Sequence, residues 1–203
     1  MVCPFAFFLR HSKSNKQVVF DLGIHRDIKG FAPAATERFS PVVKQTVADV
    51  GDPSPFTTAE FVLGEGSKKA LADPGSCHNP EVFSSVRVPE DRLRFITVSD
   101  LNVAIGPYPR AMDIFGDGSM YIIDASGHVD GHINILARTS PDGAWILLGA
   151  DSAHHPDLIT GKIMRSLLEV PRVQVLIAHD IYWYEENKGK EVFLPHIILP
   201  LVQ

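Results

Sequence analysis

The chain has 203 residues, 45% of them hydrophobic and 21% charged, a balance that suits one soluble domain with a buried core. Its formal net charge of -5, without a block of like charge, speaks against nucleic acid or a membrane as the partner and leaves small molecules. Cys3 and Cys77, far apart and outside any Cys-x-x-Cys spacing, suggest neither a disulfide framework nor a cysteine zinc site.

In chain order, the opening Met1 to Leu9 is apolar, too short to span a bilayer and without a basic leader, so it reads as a buried strand of a cytoplasmic protein. Gln17 to Gly23 is β-branched and aromatic and predicts a second strand, closing a hairpin with the first. Ser40-Pro41 starts a short helix with Val42, Val43, Thr46 and Val47 on its apolar side, ended by Gly51. A turn-rich loop from Gly51 to Pro55 precedes a strand at Glu60 to Leu63 and a helical turn at Ser67 to Ala72. Residues 73–89 lack periodicity and predict a surface loop.

From Leu93 the pattern changes to short strands: Leu93 to Val98, Leu101 to Ile105, Ala111 to Phe115 and Met120 to Asp124. His132 to Arg138 and Ala144 to Leu148 form a further hairpin across Ser140-Pro141-Asp142-Gly143. Thr160 caps a helix with Ile163, Met164, Leu167 and Leu168 as its buried face, Pro171 stops it, and Val173 to Ala178 is a last apolar strand. Strands dominate, helices are few, and no internal repeat is present.

Candidate ligands begin or follow these strands. His128 and His132 stand four residues apart around glycines, Asp151 follows Gly149-Ala150, and His179 follows Ala178. Imidazole nitrogen and carboxylate oxygen are the ligands of zinc and similar ions, and polar groups at strand ends converge where a two-layer core opens to solvent. Spacing alone favours a plainer reading: two histidines flanking a turn, an acid that caps the next segment and a histidine at a strand end. Trp145, Trp183 and Tyr184 read as core or rim aromatics, with Tyr182 to Tyr184 at a substrate mouth. Gly64 to Lys69 lacks phosphate-loop spacing, and Gly116 to Met120 is not a nucleophile elbow.

Phe20-Asp21-Leu22-Gly23, Gly127 to His132, Gly149 to His155 and Ala178-His179-Asp180, in this order, resemble the metallo-β-lactamase superfamily, and within it the N-acyl homoserine lactonase-like hydrolases. The turns Gly51 to Phe56 and Phe115 to Ser119 resemble that branch too. The resemblance implies an α+β fold, an αββα sandwich over residues 1–203 as a single domain, with one or two zinc ions at the edge of its two sheets and a lactone or ester as substrate. It implies metal ligation by His132, Asp151 and His179, with Asp151 bridging and catalytic. His154 stands where the lactonases place a tyrosine that holds the substrate oxygen, and His128 either supports the ligands from behind or is structural.

Against the resemblance, the motif His-x-His-x-Asp-His that precedes the Gly-Asp-Pro-Ser turn in the family is missing: Val50 runs straight into Gly51, and no His-x-His pair occurs anywhere. That motif carries four of the usual metal ligands, so at most one weakly held ion is expected. The sandwich is expected to be shortened in its N-terminal half, by a deletion at 50/51 and by truncation at Met1. Reduced stability and self-association through exposed strand edges follow. Two functions remain open: an impaired metal-dependent hydrolase, or an inactive shortened relative that binds a ligand or partner or has no independent role. His25, His78 and His155 are conceivable replacement ligands.

Overall fold

The computed structural model describes residues 5–21, 53, 55–73, 88–159, 161–193 and 195–202. Both cysteines, His25, His78, the helix expected at residues 40–47 and the junction at 50/51 lie outside the described residues. Among the described residues, no helix is long and apolar enough to cross a membrane.

The opening hairpin forms where the apolar runs place it. Strand β1 (Phe7–Arg10) pairs antiparallel with β2 (Gln17–Phe20), and Phe7 faces Phe20 across the pair, both buried. Strand β3 (Phe61–Gly64), followed by helix α1 (Ser67–Ala72), pairs parallel with β4 (Leu93–Ile96).

The remaining strands build one six-stranded sheet. Its spatial order is β10 (Val173–Leu176), β9 (Trp145–Leu148), β8 (Ile133–Arg138), β7 (Met120–Asp124), β6 (Tyr108–Asp113) and β5 (Val103–Ile105). Only the pair β9 and β10 is parallel; the other neighbours are antiparallel. The connection between β9 and β10 contains helix α2 (Lys162–Leu167), and helix α3 (Ile181–Asn187) follows β10.

Strand alternation sorts the side chains of this sheet onto two faces. Met120, Ile135, Ala137, Ile146, Leu148 and Leu176 pack on Phe7 and Phe20 of the hairpin, with Trp183 of α3 at the margin. Ala111, Ile123, Leu136 and Leu147 pack on Leu167 of α2 from the other side. A third cluster of Ile96, Leu101 and Ile122 seats β4 on the sheet. Burial of each large side chain contributes about 1.5–3 kcal/mol, so the two clusters carry the sandwich. The architecture is the expected α+β sandwich.

Two expectations need correction. The strand expected over residues 111–115 begins earlier, at Tyr108, and stops at Asp113. It stops because the Asp113 carboxylate accepts from the backbone N–H groups of Phe115, Gly116 and Gly118 (2.8–3.2 Å), which turns the chain away from the ladder. Its early start is hidden by Pro109, which is tolerated because β7 pairs with β6 only from Ala111 onward. The second correction concerns α2: Leu167 is buried and Met164 packs against the sheet, but Ile163 and Leu168 are 42% and 53% exposed. A helix of under two turns brings about one side chain per turn onto a flat sheet.

Asp117 ties the hairpin to the sheet. Its Oδ2 accepts from Lys13 Nζ at 2.8 Å and lies 3.1 Å from Nε2 of His11, whose ring stacks on Phe115 with centroids 4.1 Å apart. Lys13 first, then Ser119, hold the Asp117 carboxyl well below the usual carboxylate range. A carboxylate depressed in the folded state stabilises above its unfolded pKa, about 3.9, and that contribution is lost as the pH falls through the folded value. Asp117→Asn is therefore expected to lower the melting temperature at pH 7, with the difference from the unsubstituted chain shrinking steadily below about pH 4. Circular-dichroism melts of both chains across that range measure it, and a difference that does not change with pH would remove the charge of Asp117 from the account.

Candidate metal centre

Strand register brings the expected ligands to one sheet edge. Leu148 of β9 lies opposite Leu176 of β10 in parallel register, and Asp151 and His179 each stand three residues further on. They therefore leave the sheet side by side. β8 runs antiparallel to β9, so it starts at the same edge, and His132 immediately precedes it.

A sharp backbone turn aims Asp151. The parallel ladder continues one step past the strands, with Gly149 N–H donating to the Leu176 carbonyl at 2.7 Å and Ala178 N–H to the Ala150 carbonyl at 2.8 Å. Ala150 then takes a left-handed conformation, φ 42°, although it is buried and has a side chain. Such backbone costs on the order of 1–3 kcal/mol and is retained where the surrounding packing enforces it. The carboxylate that follows places Oδ1 2.9 Å from Nε2 of His179 and 3.8 Å from Nε2 of His154.

The glycine turn from Gly127 to His132 is docked by close backbone contact. Gly131 has φ 80°, and a Cβ there would lie 2.5 Å from Ser67 N and 2.8 Å from the Gly64 carbonyl oxygen. Gly131 N–H donates to Ser126 Oγ at 3.3 Å. With the turn held against the end of β3 and the start of α1, the rings of His128 and His154 meet edge to face, centroids 5.0 Å apart, and His154 meets His179 at 5.3 Å.

The trio gathered most tightly differs from the expected one. His128, Asp151 and His154 each offer a ligand atom, all within 4.8 Å of one another. His132 is half-buried, with its ring 5.8 Å from that of His128 and its Nε2 3.5 Å from the Gly149 carbonyl oxygen. His155 accepts from the Asp157 N–H at 3.2 Å, and its ring packs on Tyr182, whose hydroxyl donates to Asp157 at 3.1 Å. Tyr182 is exposed, as a mouth residue would be, whereas Trp183 packs edge-on against Phe5 and Phe193.

Charge and burial shape these groups. Burial pushes the His132 imidazole below its ordinary range, outweighing the Gly149 carbonyl that favours its protonated form. Burial raises the Asp151 carboxyl, but the His179 contact, then His128 and His154, more than offset it and leave the group below the ordinary carboxylate value. Asp151 Oδ1 and His179 Nδ1 are buried without a hydrogen-bond partner among the described residues, so the short contact between the two residues does not have hydrogen-bond geometry. Imidazole nitrogens around a carboxylate oxygen with spare capacity fit a divalent cation.

Behind the cluster stands Asn134, 1% exposed. With its nitrogen toward the carbonyls of Ile133 and Gly149, 3.1 Å each, its oxygen accepts from Ser152 Oγ at 3.1 Å. The amide thus joins the β8 start to the segment that carries Asp151.

The fold is the metallo-β-lactamase-type sandwich also found in an N-acyl homoserine lactone hydrolase, and the sequence is similar to that of a metallo-hydrolase and of a gamma-lactamase. It is 29% identical over 193 residues to the metallo-hydrolase mfmC of Annulohypoxylon moriforme, the match covering 76% of the chain and 49% of that protein. It is 28% identical to the gamma-lactamase FDB1 of Fusarium pseudograminearum (strain CS3096), covering 74% of the chain and 45% of that protein. An N-acyl homoserine lactone hydrolase, solved with N-hexanoyl-L-homoserine at its catalytic metal centre, superposes with a TM-score of 0.50 at 14% identity, over 73% of the chain and 57% of that structure. The chain thus spans about half the length of the curated relatives it matches. No family model matches it.

Because Gly131 combines a left-handed backbone with contacts that leave no room for a methyl group, Gly131→Ala is expected to cost about 2 kcal/mol or more. Urea denaturation measures the loss, and a change below about 0.5 kcal/mol would show that the turn is not fixed by this contact.

Proposed function

We propose that the chain is a metal-dependent hydrolase of a lactone or related ester, working with one weakly held divalent ion and impaired by the missing His-x-His-x-Asp-His motif. The observation that carries this reading is the convergence of His128, Asp151 and His154 within 4.8 Å, with His179 2.9 Å from the same carboxylate oxygen. Zinc suits this mixed nitrogen and oxygen donor set. Bound there, such an ion supplies Lewis-acid polarisation of a carbonyl and a lowered pKa for water.

The residues divide the work. His128, Asp151 and His154 hold the ion, so His154 serves as a ligand in place of the oxygen-holding donor that its sequence position implies. His179 fixes the Asp151 carboxylate from the side. His132, directed at the Gly149 carbonyl, positions the turn that bears His128. Tyr182, exposed next to the cluster's strand end, lines the approach of the substrate. Support for the hydrolase class comes from the similarity to mfmC and FDB1.

A second reading, an inactive shortened relative, is favoured by the absence of any His-x-His pair in the sequence. Titration of the purified chain with zinc, manganese or iron(II), followed by lactone-opening assays at saturating metal, separates the two. The hydrolase reading expects one ion per chain, slow ring opening, and at least about ten-fold weaker binding in His128→Ala and His154→Ala. Binding lost instead in His132→Ala and His179→Ala would return the ion to the set implied by the resemblance. No ion and no ring opening would leave the inactive relative.

A further inference from the structure

On the α2 side of the sheet a cavity of about 550 Å³ opens between β6, β7 and the segment leading into α2. None of His128, His132, Asp151, His154 or His179 lines it, so it is separate from the metal centre. Its volume falls in the range of roughly 300–1,000 Å³ common for small-molecule sites. One wall is apolar, formed by Leu158, Ile159, Ile163 and Met164, and Leu158 and Ile163 are 61% and 42% exposed. These are the side chains that a simple helix-on-sheet packing would have covered.

Charged groups line it as well: Arg110 and Asp124 come from the sheet and Lys162 from the start of α2, two cations to one acid, for a local charge of about +1. Arg110 is paired with Asp124, whereas Lys162 makes no ion pair among the described residues. Tyr108 lines the cavity from the sheet, 7% exposed, and its buried hydroxyl has no hydrogen-bond partner among the described residues. A buried donor without an acceptor is costly, and a carboxylate seated beside it supplies the missing acceptor.

We propose that this cavity binds a small organic acid with an apolar body, its carboxylate held by Lys162, Arg110 and Tyr108 and its body laid over Leu158, Ile159, Ile163 and Met164. The net positive lining selects a single negative charge, and the apolar wall selects a chain or ring over a compact anion such as acetate. The site does not depend on the metal centre, because every residue in it lies outside the ligand cluster.

Calorimetric titration of the whole chain, with EDTA present to keep the metal centre out of the measurement, tests this with sodium decanoate and decan-1-ol as probes. Decanoate is expected to bind saturably, one per chain, and at least about ten-fold more tightly than decan-1-ol, the scale of one charge-assisted hydrogen bond. Lys162→Glu, at an exposed position in the first turn of α2, is expected to weaken decanoate by about ten-fold or more and leave decan-1-ol unchanged. Tyr108→Phe is expected to weaken decanoate by a smaller factor. No saturable binding, equal binding of the two probes, or indifference to Lys162→Glu would each overturn the proposal.

Discussion

The parallel pairing of β9 with β10 is the constraint on which the rest of the molecule depends. Every other neighbour in the six-stranded sheet is antiparallel and joined by a short connection, but parallel neighbours require a crossover that leaves the sheet and returns. Here the crossover is the segment from Gly149 to Arg172. Its first residues carry Asp151 and His154, and its later part supplies α2 and the apolar wall of the cavity. Because both strands end at the same edge, residues at equal offsets beyond them become neighbours, and Asp151 meets His179 as a result of register.

That edge is held against its own cost. Ala150 adopts a left-handed backbone, and the cluster buries Asp151 Oδ1 and His179 Nδ1 without hydrogen-bond partners among the described residues. An unpartnered buried atom such as His179 Nδ1 costs about 1–3 kcal/mol, on top of the backbone strain. The hydrophobic layers on both sides of β9 and β10, with Leu147, Leu148, Leu176 and Ile177 at 0–2% exposure, are what keep the arrangement in place. Strain and unmet polar groups are thus concentrated at one strand edge, within a core otherwise sorted cleanly by alternation.

Much of this was legible in the sequence for a physical reason. A strand buried on one or both faces must alternate or run apolar, so β7, β8 and β9 announce themselves, and Pro141-Asp142-Gly143 fixes the turn between β8 and β9. Ligands at strand ends inherit that legibility, which is why Asp151 and His179 were placed together. His128 was not legible as a member of the tightest trio. Its side chain is aimed by a glycine turn whose conformation depends on backbone contact with Gly64 and Ser67, residues distant in the chain. No local pattern encodes such a contact. The same limit hid β6, where two prolines around Tyr108 read as a break although the ladder to β7 begins only beyond them, and the exposed side of α2, where four apolar residues share fewer than two turns.

The two sites are distinct in their lining and joined in their support. Asn134 presents its amide to the Gly149 carbonyl, the same carbonyl that faces His132, and its oxygen to Ser152, the residue after Asp151. Asn134 and Ser152 also belong to the wall of the cavity. A buried amide with donors and acceptor all committed has one low-energy placement, so a displacement of Ser152 from the cavity side has to be taken up by Gly149 or by the start of β8. The first response reaches Asp151 two residues on, and the second reaches His132 one residue back. The polar post that braces the strand edge bearing Asp151 therefore also borders the cavity.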